Sequence, residues 1–321
     1  MPDHTNKQKI LVIKLSALGD FIQALGPMAA IRRHHKDAYI TILTTRAFEG
    51  FARKCGYFDE VWLDTRPKLL NFKGWASLRK RLNSGEFTRV YDLQNNDRTN
   101  FYFKLFKNKP EWVGIAIGAS HRDTSPERTA GHAFDGHVQT LALAGIADIK
   151  IDRLDWMSGD LSNFALKDPY VLLVPGCAPQ HPQKRWPAEN YARLAQQLVK
   201  MHYQPVLIGT QADAAATTTI ANTCPEALNL TNQTNLEQIA TLGRNAAATI
   251  GNDTGPMHLI AATTCPCLVL FSATSNPTRH APKGENVKVL QKDNLQDLDV
   301  ETVMQNSTLQ ETRQKRPSTM H

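Results

Sequence analysis

Short apolar, β-rich runs alternate with longer amphipathic runs along this chain, and the alternation occurs twice. In the first half the strand-type runs are 10–14, 39–43, 60–63, 89–93 and 112–115. The helix-type runs between and after them are 19–35, 47–54, 75–83, 99–106 and 132–144. Parallel strands joined by crossover helices satisfy this pattern, which makes the fold class α/β. Over 145–167 the pattern loosens and Asp, Ser and Gly become more frequent. It then resumes with strands at 170–174, 205–208, 227–230, 246–250 and 267–271, and helices at 188–201, 212–222, 236–243 and 256–264. A chain of 321 residues is long for one core and sufficient for two. The expectation is two Rossmann-like domains facing across a cleft, at 1–155 and 165–298.

Several classes are excluded early. No apolar stretch approaches the ~20 residues of a membrane span. Residues 1–9 carry no apolar signal core, so a cytoplasmic location is expected. The five cysteines are odd in number and scattered, which is no disulfide framework. Cys265 and Cys267 lack further Cys or His at metal-ligand spacing and are expected as buried thiols. Of the net charge of +7, residues 1–160 carry 24 Lys+Arg against 18 Asp+Glu, while 161–300 carry 10 against 10. A basic first half beside a neutral second half fits an anionic partner for the first. No nucleic-acid motif accompanies that charge. Residues 307–321 are polar and basic and are expected to be a disordered tail.

The segment Gly251-Asn-Asp-Thr-Gly-Pro-Met-His-Leu-Ile-Ala-Ala262 carries the most chemistry. A strand runs into small polar residues, and a helix then opens with Pro256 in its first turn. A helix N-terminus after a strand is an anion site, because free N–H groups and the helix dipole face the ligand together. Asp253 and Thr254 add a carboxylate and a hydroxyl, which suit the hydroxyls of a sugar or ribose. Together these features point to a nucleotide-sugar diphosphate. Capping alone would also account for Asp253 and Thr254.

Asp253-Thr-Gly-Pro-Met-His-Leu-Ile-Ala-Ala262 resembles the donor-site signature of glycosyltransferase family 9, the ADP-heptose:lipopolysaccharide heptosyltransferases. Two further blocks resemble the same family in the same order. One is Ile10-Leu-Val-Ile-Lys-Leu-Ser-Ala-Leu-Gly-Asp20. The other is Val174-Pro-Gly-Cys-Ala-Pro-Gln-His-Pro-Gln-Lys-Arg-Trp-Pro-Ala-Glu-Asn-Tyr191. The resemblance implies the GT-B architecture, with 299–306 as a crossover helix returning to the first domain. It implies an inverting, metal-independent transfer of heptose from ADP-heptose to an anionic inner-core lipopolysaccharide acceptor, with no cofactor. The enzyme would work in the cytoplasm, in peripheral contact with the inner face of the cytoplasmic membrane. A family 9-like transferase using another nucleotide sugar, or a non-catalytic nucleotide-sugar-binding protein of the same fold, are the alternatives.

Sugar transfer needs a base for the acceptor hydroxyl and positive charge for the leaving diphosphate. Asp20 follows Gly19 at the carboxyl end of the first strand, where open α/β sheets bind ligands. The resemblance makes it the base, with Ser16 and Gly19 letting the loop approach the donor. An acidic residue in a first helical turn also serves the helix dipole. Lys184 and its neighbour Arg185 lie in a Pro-rich loop before a helix, where an ammonium reaches a phosphate as a point charge. In the family the matching Lys contacts the donor, so Lys184 is expected to bind donor and aid departure. Trp186 is expected to pack. Asp213 stands where the family often has a Glu for ribose hydroxyls, one methylene longer. Gly255 and His258 complete the donor list, though a lone His is more often structural. The pair Asp297–Asp299 lies outside every site block and is expected as a solvated helix start, so no metal site is expected. For the acceptor, Arg66, Lys68, Lys73 and Arg98 follow strands of the first domain, and the loop 118–131 is expected to close over it.

Overall fold

The computed structural model describes residues 7–310. The chain divides into two compact units, which meet in sequence at Asp152 and Arg153. In the first unit the strands are β1 (Lys9–Ile13), β2 (Tyr39–Thr44), β3 (Glu60–Leu63), β4 (Arg89–Asp92), β5 (Glu111–Gly114) and β6 (His121–Arg122). Its helices are α1 (Leu18–His34), α2 (Glu49–Lys54), α3 (Phe72–Ser84), α4 (Asp97–Leu105), α5 (Glu127–Ala130) and α6 (Ala133–Ala142). The second unit contains β7 (Tyr170–Val174), β8 (Gln204–Leu207), β9 (Leu228–Asn229), β10 (Ala248–Asn252), β11 (Cys267–Ser272) and β12 (Val287–Lys292). Its helices are α7 (Ala188–Lys200), α8 (Ala214–Thr223), α9 (Leu236–Asn245), α10 (Gly255–Ala262), α11 (Pro277–His280) and α12 (Val300–Asn306).

Each unit holds one parallel six-stranded sheet, in the orders β3-β2-β1-β4-β5-β6 and β12-β11-β10-β7-β8-β9. Renumbered within its own unit, the second order read backwards is 3-2-1-4-5-6, the same as the first. That is the doubly wound order, whose direction reverses between the first and fourth strands. The two reversal points lie between β1 and β4, where Ile13 sits opposite Asp92, and between β7 and β10, where Val174 sits opposite Gly251. Strands buried on both faces read as continuous apolar runs, and every residue of β7, β10 and β11 is buried. One core cluster of the first unit gathers Leu11, Ile13, Trp62, Tyr102 and Trp112; the second unit gathers Val171, Trp186, Tyr191, Leu270 and Val303.

Two sequence expectations change here. The helix expected to return to the first domain is capped by Asp299, which accepts from the Thr302 N–H at 2.6 Å, and it buries Val300 and Val303 in the second unit's own core. The chain after it stays ordered to the limit of the described residues: Leu309 packs on that core, and the Gln310 N–H donates to the Ala247 carbonyl at 3.2 Å. The disordered tail expected from 307 therefore does not begin there, and 311–321 lies outside the described residues. The loop 118–131, expected to close over an acceptor, contributes β6 to the sheet and α5, and its buried Asp123 accepts from the Ser125 N–H at 3.1 Å and the Thr140 hydroxyl at 2.8 Å. All five cysteines are free and buried. Among the described residues no helix is long and apolar enough to cross a membrane.

Candidate active site

Some of the expected site residues of each unit lie at its reversal point, and others, Arg66, Lys68 and Lys73 after β3 and Asp213 after β8, do not. In the second unit, Lys184 closes a short turn of 3-10 helix after β7, and Asp253 follows β10 directly. Though 69 residues apart in sequence, they meet: the Lys184 ammonium donates to Asp253 Oδ2 at 2.6 Å. Both side chains are largely buried. Ser275, in the loop after β11, donates its hydroxyl to the same Asp253 oxygen at 2.6 Å and accepts from Lys184 at 3.2 Å. This serine was absent from the sequence reading, since a lone Ser in a loop carries no signal. A cavity of about 410 Å³ borders it, lined by residues 273–278 and Gln291.

Asp253 is thus committed to Lys184 and Ser275. Thr254 is the N-cap residue of α10, yet its side chain makes no capping hydrogen bond. Capping, which would have explained both residues, is not what they do. The first turn of α10, beginning at Gly255 and Pro256, has no side-chain cap and keeps the anion-binding character of a helix start. His258 is buried on that first turn. Asn252 braces the arrangement from the end of β10. Its Nδ2 donates to the Pro175 carbonyl at 2.6 Å, and its Oδ1 accepts from the Trp186 N–H at 3.2 Å and the Tyr191 hydroxyl at 3.0 Å. Trp186 packs as expected: it is buried, and its indole N–H donates to the Leu298 carbonyl at 2.8 Å.

Asp213 is buried beside this cluster. Oδ2 accepts from the Thr210 N–H and hydroxyl, both at 2.9 Å, closing the capping box of a short helical turn whose N-cap is Thr210. Oδ1 makes no hydrogen bond, and the Arg185 guanidinium stands 3.8 Å from it. Arg185 donates to the Cys177 carbonyl at 3.1 Å, while its buried Nε has no partner. One open acceptor and one open donor therefore share a niche among the loops that follow β7 and β8, which is unusual for buried polar atoms.

In the first unit, Asp20 lies in the first turn of α1, and its Oδ2 accepts from the Ala17 N–H at 3.3 Å. Ser16 lies in the loop before α1, and buried Gly19 in its first turn. The Ser16 N–H donates to Gln94 Oε1 at 3.1 Å, as does that of Leu15 at 2.8 Å, so Gln94 fixes the loop that carries Asp20. Two charged residues at this point escaped the sequence reading as site residues. Lys14 is buried and donates to the Leu93 carbonyl at 3.1 Å. Burial lowers its pKa, and the carboxylates of Asp20 and Asp92 oppose that shift. Asp92 is fully buried, and burial pushes its carboxyl up to about 6 against the backbone N–H groups of Asn95 and Gln94. Its Oδ2 has no partner.

Of the cations expected at an acceptor site, Arg66, Lys68 and Lys73 are exposed between β3 and the start of α3. Arg98 is held differently. Its guanidinium donates to the Pro67 carbonyl and the Tyr102 hydroxyl at 3.4 Å and lies 5.5 Å over the Trp75 ring, so it braces the loop. Among the described residues no group of three or more His, Cys, Asp or Glu is arranged to hold a metal ion.

Two doubly wound units, each with polar side chains at its reversal point, define the GT-B class of α/β protein. The glycosyltransferase family 9 (heptosyltransferase) model matches residues 146–308. Lipopolysaccharide heptosyltransferase 2 of Salmonella typhimurium and of Escherichia coli K12 are each 36% identical over 306 residues, covering 88% of this chain and 87% of each relative. A match to lipooligosaccharide heptosyltransferase 2 of Haemophilus influenzae, 34% identical, is confined to 127 residues and spans 36% of that relative. A glycosyl transferase family 9 structure from Veillonella parvula aligns with a TM-score of 0.80 at 21% identity, covering 93% of this chain and 95% of that one. The E. coli heptosyltransferase WaaC, solved with ADP-2-deoxy-2-fluoro heptose, aligns at 0.73 with 17% identity, covering 93% and 98%. The chain belongs to glycosyltransferase family 9.

Proposed function

We propose that this enzyme transfers heptose from ADP-heptose to an inner-core sugar of lipopolysaccharide, with inversion and without a metal ion. The observation that carries the reading is the cluster of Lys184, Asp253 and Ser275 in front of the uncapped start of α10. It supplies a cation and a helix N-terminus at one reversal point, which is what a departing diphosphate needs. The open oxygen of Asp213 suits a ribose hydroxyl. The relatives support the sugar and the acceptor: those 36% identical are lipopolysaccharide heptosyltransferases, and the WaaC structure holds an ADP-heptose analogue.

In this reading Asp20 takes the proton from the acceptor hydroxyl as its oxygen attacks the anomeric carbon. The bond to the diphosphate breaks on the opposite face, and a single displacement inverts the configuration. Asp253 orients the Lys184 ammonium, and negative charge building on the leaving oxygen is met by Lys184 and the N–H groups of α10. That positive charge takes the part a divalent ion plays elsewhere, and Asp299 of the Asp297–Asp299 pair is occupied as a helix cap. The test is ADP release from ADP-heptose in the presence of a lipopolysaccharide-core acceptor, with and without excess EDTA, beside a panel of other nucleotide sugars. Activity confined to ADP-heptose and unchanged by EDTA supports the proposal. Preference for another nucleotide sugar, or loss in EDTA restored by magnesium, overturns the corresponding part.

A further inference from the structure

Leu69, Leu70 and Phe72 are 86%, 84% and 76% exposed, and they lie within four consecutive residues. Scattered exposed apolar side chains need no explanation, whereas a contiguous group of them marks an interaction surface. The turn that displays them is well held. The Asn71 N–H donates to the Lys68 carbonyl at 2.9 Å, and the Asn71 side chain caps α3 by accepting from the Gly74 N–H at 2.9 Å. The Trp75 indole N–H donates to the Lys68 carbonyl at 3.0 Å, and Phe101 meets the Trp75 ring edge-on at 5.0 Å. Arg98 ties Pro67 to the same ring. A braced turn with three large apolar side chains in solvent does not serve the packing of its own unit.

The charge around the turn narrows the partner. From 65 to 85 the sequence contains Arg66, Lys68, Lys73, Arg79, Lys80 and Arg81 and no Asp or Glu. All six cations are exposed. A second copy of the chain would set these like charges against one another. A soluble anion would account for the cations and leave the apolar side chains unexplained. An anionic bilayer accounts for both, since apolar side chains enter the interfacial layer while flanking cations meet the headgroup phosphates.

We propose that residues 66–73 dock the protein on an anionic phospholipid membrane: Leu69, Leu70 and Phe72 insert at the interface, and Arg66, Lys68 and Lys73 bind headgroup phosphates. The proposal gives a residue-level location to the membrane contact that the family resemblance implies and moves Arg66, Lys68 and Lys73 from the acceptor to lipid headgroups; its observations are this surface alone.

Flotation of the full chain with vesicles tests it. Phosphatidylcholine vesicles containing phosphatidylglycerol should carry the protein, and phosphatidylcholine vesicles should not. The triple variant Leu69→Ser/Leu70→Ser/Phe72→Ser should lower the partition coefficient roughly tenfold or more with an unchanged unfolding midpoint, because the three side chains are already in water. Lys68→Gln/Lys73→Gln should weaken binding less and flatten its salt dependence. Equal flotation of the triple variant, or no flotation of the wild type with phosphatidylglycerol, overturns the proposal. So does self-association in sedimentation velocity that the triple variant abolishes without any vesicle binding, which would assign the surface to a second copy.

Discussion

The two reversal points share a topology and differ in how they are furnished. Between β1 and β4 the charges are buried and, among the described residues, unpaired: Asp92 is the last residue of β4, and Lys14 directly follows β1. Lys14 and Asp92 are buried at strand ends, neither has a salt-bridge partner within 4 Å among the described residues, and Gln94 holds the loop in front of them. Between β7 and β10 the strands end in neutral residues, and the charges come from loops: Lys184 and Asp253 form an ion pair closed by Ser275. Charges buried at strand ends are costly to bury and cannot move far, and here they flank the first turn of α1 that carries Asp20. Charges on loops exchange partners readily, which suits a ligand that arrives charged and leaves charged. On the proposed reading the fold makes both sites available, and the side chains decide which would hold a base and which a diphosphate.

The largest effect is expected at the first point. Asp20→Asn should lower kcat by roughly 10²–10⁴, the usual range for loss of a general base. Turnover near wild type would remove Asp20 from the chemistry and with it the assignment of the first point. Lys184→Met should come next. A contact that strengthens as charge builds on the leaving oxygen appears in kcat as well as KM. Arg185→Ala should do less, because Arg185 faces Asp213 and the Cys177 carbonyl rather than Asp253. A larger defect from Arg185 would shift the diphosphate site toward the Asp213 niche.

Two smaller effects are read from stability. Folding raises the Asp92 carboxyl from 3.8 to about 6. The folded chain then holds more protons than the unfolded chain between about pH 4 and 6, so this group costs stability as pH rises through that window, on the order of 3 kcal/mol at the limit. Asp92→Asn keeps the acceptor for the Gln94 and Asn95 N–H groups and removes that cost. Its urea midpoint relative to wild type should therefore improve from pH 4 to 7, and a pH-independent difference would contradict the account. At the second point, a Cβ on Gly176 would lie 2.3 Å from the Asp213 carboxyl carbon. Gly176→Ala should cost about 1–3 kcal/mol by overpacking, measured by chemical denaturation. No change would mean that Asp213 is free to move aside.

Much of this was legible in the sequence where burial is continuous. β3 and β7 lie where their apolar runs placed them, at Glu60–Leu63 and Tyr170–Val174. β12 was missed because it is an edge strand: Lys288, Val289, Gln291 and Lys292 are exposed, so it lacks both an apolar run and alternation. β6 and α11 are too short to show a period. The strand expected at 246–250 is shifted to Ala248–Asn252, which makes Asn252 part of the sheet and leaves a shorter loop before α10. In the site, Lys184 and Asp253 were readable because each lies in a block resembling the family. Lys14 was not, since a lysine at a strand end is ordinarily solvated and only the packing around it reveals otherwise.

The central claim is the division between the two points, with the donor held at the second and the base supplied by the first. Titrating ADP-heptose calorimetrically against the wild type, Asp20→Asn and Lys184→Met, without acceptor, tests it most directly. The account predicts that Asp20→Asn binds the donor with affinity close to wild type although its turnover is lost, while Lys184→Met binds roughly tenfold more weakly or worse, as expected on losing a charge-assisted contact. Donor binding lost in Asp20→Asn and retained in Lys184→Met would contradict it.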